Sequence, residues 1–188
     1  MGKLVVTEFI TLDGVVKDPG GAEKDEFPRG GWAFDFDQGA DGAKFKFDEL
    51  EAADAQLLGR RTYEGFAKAW PTMEGTGEFG EKMNAMPKYV VSSTLTEPTW
   101  NNTTVIGLDD VPALKERYDG DLLVAGSAQL VQGLLERGLV DELHLMVFPT
   151  ELGAGRRLFA DGAERTDFEL TDARHVGDVA VLTLTRKS

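Results

Sequence analysis

The stretch Leu57-Leu58-Gly59-Arg60-Arg61-Thr62-Tyr63-Glu64-Gly65-Phe66 constrains the fold more than any other part of this chain. The apolar run from Ala55 to Leu58 reads as the end of a buried strand, Gly59 as the turn, and Thr62 as the cap of a helix. A threonine hydroxyl in that place accepts a bond from an otherwise unpaired backbone N–H. Arg60 and Arg61 stand just ahead of the cap, where positive charge opposes the helix dipole. A bound anion would reverse the sign, because free N–H groups, the dipole and two guanidinium groups would all face it. A solvated Arg pair on a loop is the alternative that spacing alone leaves open.

The strand-then-turn pattern recurs. Tyr89-Val90-Val91 leaves into Ser92-Ser93-Thr94. Leu122-Leu123-Val124-Ala125 is continuously apolar, the mark of a strand buried on both faces. It runs into Gly126-Ser127 and a helix from Ala128 to Arg137, with Gly138 suited to the C-cap. Val5 to Ile10, Thr104 to Ile106 and Leu143 to Phe148 read as further strands. Helices are expected over Ala43–Ala53, around Phe66 and Trp70, from Phe79 to Met86 and over Val111–Tyr118. Phe168–His175 and Val179–Thr185 predict a hairpin about Gly177-Asp178. The final strand is apolar on both faces, which places it inside the sheet or at a subunit interface. Strands alternating with helices predict an α/β domain over residues 1–188, its sheet mostly parallel with an antiparallel C-terminal hairpin.

Val15 to Asp41 has no such pattern, yet it carries Phe27, Trp32, Phe34 and Phe36. So many aromatics are unlike a disordered linker. Trp32 and Phe36 are candidates for a lid over a substrate pocket; a plug at the edge of the core is the alternative.

Charge narrows the function. The net charge is −13, which argues against nucleic acid or an anionic membrane as partner. A phosphorylated ligand would need a local basic pocket. The chain has no cysteine, so thiolate metal sites, disulfides and a Cys nucleophile are excluded, and a cytoplasmic setting fits. Met1 to Thr7 reads as a first strand, not a signal peptide. His144 and His175 lie far apart in strands, so no metal site is expected. Gly153-Ala154-Gly155-Arg156-Arg157-Leu158 begins like a dinucleotide fingerprint, but it lacks the third Gly and comes late in the chain.

Three junctions remain: Gly59-Arg60-Arg61-Thr62, Ser92-Ser93-Thr94 and Gly126-Ser127-Ala128-Gln129-Leu130. All lie past strand carboxyl ends, where open α/β sheets bind ligands. Backbone N–H groups, hydroxyls and two Arg suit a dinucleotide, and Arg60, Arg61, Ser92 and Ser93 suit an added 2′-phosphate. NADPH is therefore the expected cofactor. Asp13, at the end of the first strand, is the candidate for binding substrate or relaying a proton; capping the turn before Gly14 is its alternative role.

These junctions, with Thr11-Leu12-Asp13-Gly14 and the run from Gly138-Leu139-Val140-Asp141-Glu142-Leu143 through Pro149 to Phe159, resemble the dihydrofolate-reductase-like superfamily. Within it the chain is similar to the reductase (C-terminal) domain of the riboflavin-biosynthesis enzyme RibD. The resemblance covers Val5 to Thr185 and implies a three-layer α/β/α fold, a homodimer and bound NADPH. It also implies hydride transfer to a C=N or carbonyl group, as in reduction of a ribosylaminopyrimidine, or of a pterin in other members. The riboflavin reductases commonly carry Glu-Gly-Gly where this chain has Ala125-Gly126-Ser127, and the chain has no fused deaminase. The rival readings are a different carbonyl or dihydrofolate reductase of the same fold and a non-catalytic nucleotide-binding dimer.

Overall fold

The computed structural model describes residues 1–23 and 25–187. In chain order the strands are β1 (Leu4–Thr11), β2 (Ala53–Gly59), β3 (Lys88–Val91), β4 (Thr103–Ile106), β5 (Asp121–Ala125), β6 (Glu142–Phe148), β7 (Phe168–Val176) and β8 (Val179–Arg186). The helices are α1 (Gly39–Ala52), α2 (Arg60–Ala69), α3 (Gly77–Ala85), α4 (Val111–Arg117) and α5 (Ala128–Glu136). The strands form one mixed sheet in the order β4-β3-β2-β5-β1-β6-β8-β7. It is parallel as far as β6, and β8 and β7 are antiparallel.

Alternation along β1 divides the core. Leu4, Val6 and Ile10 pack with Leu114 of α4 and with Leu130, Val131 and Leu134 of α5. Val5 packs on the other face with Leu50 of α1, Tyr63 of α2 and Met83 of α3. Helices therefore cover both faces of the sheet, in three layers. Burying each such side chain stabilises by roughly 1.5–3 kcal/mol before chain entropy is counted.

The pairing of β1 positions the site. It pairs with β6 from Val5 to Thr11, but with β5 only from Leu4 to Thr7, opposite Leu122 to Ala125. The chain leaving β1 goes to α1 on one face, and the chain leaving β5 goes to α5 on the other. A crevice opens where the two strands part, at their carboxyl ends.

Several boundaries differ from the sequence expectation. Helix α1 begins at Gly39, a turn before Ala43, because its first turn lies against the hairpin. A Cβ on Gly42 would be 3.5 Å from Val176 and 3.7 Å from Met146. Packing rather than propensity sets that start. Helix α2 begins at Arg60 with Gly59 as N-cap, so Thr62 is not the cap. Strand β8 lies inside the sheet, and the charged β7 forms the edge. At the hairpin turn Gly177 has φ +56, and a Cβ there would lie 2.2 Å from the Asp37 carbonyl oxygen. That carbonyl accepts the Asp178 N–H at 2.7 Å, so the turn also secures the end of the long segment. Among the described residues no helix is long and apolar enough to cross a membrane.

Lys88, fully buried at the start of β3, fastens the end of α3 to the chain beyond it. Its ammonium donates to the carbonyls of Asn84 and Met86 at 2.9 Å and of Asn101 at 3.2 Å. It also lies 4.3 Å from the centre of the Trp100 ring. Lys88→Met leaves these carbonyls without their donor and should lower stability by about 2 kcal/mol or more in urea unfolding. An unchanged midpoint would show that the three bonds contribute nothing net.

Candidate functional site

The three junctions come together because β3, β2 and β5 are consecutive in the sheet. Two of them are bonded to each other. The Gly59 N–H donates to Ser127 Oγ at 2.9 Å, and the Ser127 N–H donates to Thr62 Oγ1 at 3.0 Å. Thr62 thus joins two turns instead of capping its own helix. Gly126 and Ser127 both take left-handed backbone, at φ +58 and +62. A Cβ on Gly126 would lie 3.2 Å from Thr62 Oγ1, so the turn stays bare of side chain at its closest point. Neither α2 nor α5 has a side-chain cap, and their first N–H groups open onto this edge.

The individual residues divide by role. Arg60 donates to both Glu64 carboxylate oxygens at 3.0 Å, one turn along the exposed face of α2. Arg61 instead lines a cavity of about 510 Å³ with Lys17, Gln132, Arg156, Arg157 and Asp161. Four cationic side chains meet one carboxylate there, on a chain whose net charge is −13. Among the described residues, no carboxylate pairs with Arg61, Arg156 or Arg157, although Lys17 is paired with Glu23 at 2.7 Å. Ser92 Oγ accepts the N–H groups of Thr94 and Leu95 at 3.1 and 3.0 Å, which leaves Ser93 and Thr94 exposed at the end of β3. Ala128 is half-buried and Gln129 exposed in the first turn of α5. Leu130 has its side chain buried in the core, so its backbone N–H is what it presents to the site.

Asp13 stands where expected, at the end of β1, but its carboxylate is already engaged. Oδ1 accepts from the Thr11 hydroxyl at 2.6 Å and the Leu152 N–H at 3.2 Å, and Oδ2 accepts from the Gly153 N–H at 2.8 Å. The Thr11 hydroxyl foremost, with these two amides, outweighs partial burial and lowers its pKa to about 2. In this arrangement the Asp13 carboxylate braces the turn that follows β1. Its own carbonyl accepts from Arg157 Nε at 2.9 Å, so the turn also positions a cation of the cavity.

Trp32 is likewise fixed in place. It is 3% exposed, its indole N–H donates to the Lys17 carbonyl at 2.9 Å, and its ring meets Phe148 edge-on at 5.2 Å. Phe36 packs on the same Phe148 at 6.0 Å. Both aromatics therefore pack against Phe148 at the edge of the core.

Residues that sequence reasoning passed over lie on both faces. Lys17, Gln132, Arg156 and Arg157 come from separate segments, so only the fold joins them with Arg61. The available signal was the Arg pair behind Gly153 and Gly155. Gly155 serves packing, since a Cβ there would lie 2.8 Å from Val15. On the α1 face, Lys46 donates to Thr7 Oγ1 and Glu49 Oε2 at 2.6 Å, and His144 Nδ1 lies 2.7 Å from Glu49 Oε1. Burial pushes the Glu49 carboxyl up, but Lys46 and His144 together hold it below its ordinary value. Lys46 also borders an apolar hollow of about 550 Å³ with Ala43, Phe47 and Phe79, between α1 and α3.

The chain is similar to several known proteins. The profile of the RibD C-terminal domain matches residues 2–182. The Bacillus subtilis protein YyaP, called uncharacterized, is 30% identical over 133 residues, covering 68% of this chain and 70% of its own length. Among solved structures, Acinetobacter baumannii RibD superposes with a TM-score of 0.68 at 18% identity, over the whole of this chain and 58% of RibD. Dihydrofolate reductase from Enterococcus faecalis, complexed with NADP(H) and RAB-propyl, gives 0.58 at 16% identity, over the whole of this chain and 98% of its own. At these identities the structural likeness is one of fold.

The lowered pKa of Asp13 has a measurable consequence. Its contribution to stability is complete above its ordinary 3.8 and is lost as pH falls through about 2. The difference in thermal stability between wild type and Asp13→Asn should therefore be constant at neutral pH and shrink below about pH 4. A difference independent of pH down to 2.5, a value inside that window, would show that the carboxylate charge is not what holds the turn.

Proposed function

Because the chain belongs to the RibD C-terminal domain family, a family that includes reductases, we propose that it is an NADPH-dependent reductase of a small molecule. One observation carries this reading above the others: a cluster of cations, three without a carboxylate partner among the described residues, beside two uncapped helix N-termini on an otherwise acidic chain. That is equipment for a ligand with several phosphates.

The residues present fit the cofactor. The bare turn at Gly126, the close approach of Gly59 to Ser127 and the free N–H groups of α2 and α5 suit a pyrophosphate. Arg61, with Arg156, Arg157 and Lys17, would neutralise it. Ser93 and Thr94, exposed at the end of β3, and Arg60, at the start of α2, suit the 2′-phosphate. When bound, NADPH supplies a hydride to a C=N or carbonyl carbon. The apolar hollow beside Lys46, Phe47 and Phe79 suits the flat ring of a pterin-like or ribosylaminopyrimidine-like substrate, with Lys46 as the polar group at its margin. A homodimer is part of the same reading: light scattering should give twice the 20.5 kDa chain mass, and a monomer would remove that part.

The test separates the two arginines. Arg61→Ala should weaken NADPH and NADH alike, by roughly tenfold or more, since it faces the phosphates common to both. Arg60→Ala should reduce the preference for NADPH over NADH and leave NADH binding near its wild-type value. Unchanged affinity for both nucleotides in Arg61→Ala would contradict the phosphate site. NADPH consumption, screened with pterins and ribosylaminopyrimidines, then tests the reaction.

A further inference from the structure

Strand β1 carries an acid where the core calls for an apolar side chain. Alternation places Glu8 on the face of Val6 and Ile10, and its register partner on β6 is Leu145, so its neighbours within the sheet are apolar. Glu8 is 3% exposed, and its Oε1 has no hydrogen-bond partner among the described residues. An unpartnered buried carboxyl is unfavourable, and native chains rarely keep one without a use. Glu49 shows the contrast. It is also buried, at 6% exposed, yet it is served by Thr7, Lys46 and His144.

The position of Glu8 gives the missing partner a place. Thr7 is the last β1 residue paired with β5, opposite Ala125. Glu8 is therefore the first residue beyond the parting of the strands, level with the turn at Gly126 and Ser127. It stands at the head of the crevice, on the α5 face that also carries the cationic cavity. Burial, against a lesser pull from Lys46, pushes its pKa up to about 8. At neutral pH the carboxyl keeps its proton and offers one donor and one acceptor side by side.

We propose that Glu8 binds the carboxamide of the cofactor's nicotinamide ring, its O–H donating to the carboxamide oxygen and its carbonyl oxygen accepting from the carboxamide N–H. The assignment rests on the cofactor reading above. A carboxylic acid and a primary amide match as a two-bond pair, one donor and one acceptor on each side. With phosphates at the N-termini of α2 and α5, the opposite end of the dinucleotide has the crevice between β1 and β5 to enter.

Calorimetric titration of wild type, Glu8→Leu and Glu8→Gln with NADPH and with adenosine 2′,5′-bisphosphate, which lacks the nicotinamide, tests this. Glu8→Leu should bind NADPH roughly tenfold or more weakly and the bisphosphate as wild type does. Glu8→Gln keeps a donor and an acceptor and should retain NADPH affinity within about threefold. Glu8→Leu should melt at or above the wild-type temperature, since it removes an unpartnered acid from an apolar site. NADPH binding unchanged in Glu8→Leu, equal loss of both ligands, or equal weakening by Leu and Gln would each overturn the assignment alone. A wild-type protein that binds neither ligand would overturn the cofactor reading and this assignment together.

Discussion

Two hydrogen bonds, from the Gly59 N–H to Ser127 Oγ and from the Ser127 N–H to Thr62 Oγ1, tie the turn after β2 to the turn after β5. The site depends on them. They hold two helix N-termini side by side at one edge of the sheet, and each uses a polar group that would otherwise face the ligand space or a helix end. The cross-tie also accounts for the backbone. Ser127 reaches both partners from left-handed φ, and Gly126, also left-handed, approaches Thr62 closely. Such a turn is strained for a non-glycine residue, and strain of this kind persists where surrounding bonds over-determine it.

Around this tie the electrostatics are local rather than global. On a chain of net charge −13, Lys17, Arg61, Arg156 and Arg157 gather in one cavity. Asp13 contributes by pinning the segment that carries two of those cations to the end of β1. Its charge is spent on structure, which is why its pKa lies low. Glu8, within β1 itself, is the opposite case: its Oε1 has no partner among the described residues, burial holds it neutral, and it stands at the head of the crevice.

Much of the fold was legible because hydrophobic runs and turn residues coincide. The strands from Tyr89, Leu122 and Leu143, and the hairpin about Gly177, follow from local pattern, and each is present within a few residues of its expected ends. The start of α1 was not legible, since its first turn is placed by packing on Met146 and Val176. The role of Thr62 was misread for a related reason: a hydroxyl beside a helix start looks like a cap, and only the sheet order brings Ser127 within reach. Of the site, the junctions could be read in one dimension because each is a continuous segment. The cavity could not, being assembled from residues 17, 61, 132 and 156–157. Trp32 and Phe36 illustrate a further limit, because aromatic content does not reveal the partner they pack on, Phe148.

The function of the site turns on where the nucleotide sits. Amide hydrogen exchange of the wild-type protein, measured with and without saturating NADPH, reads this segment by segment. Slowed exchange at Gly59–Thr62, at Gly126–Leu130 and in the segment holding Arg156 and Arg157 is the predicted result. Protection confined to the hollow between α1 and α3, with those segments unchanged, would contradict it.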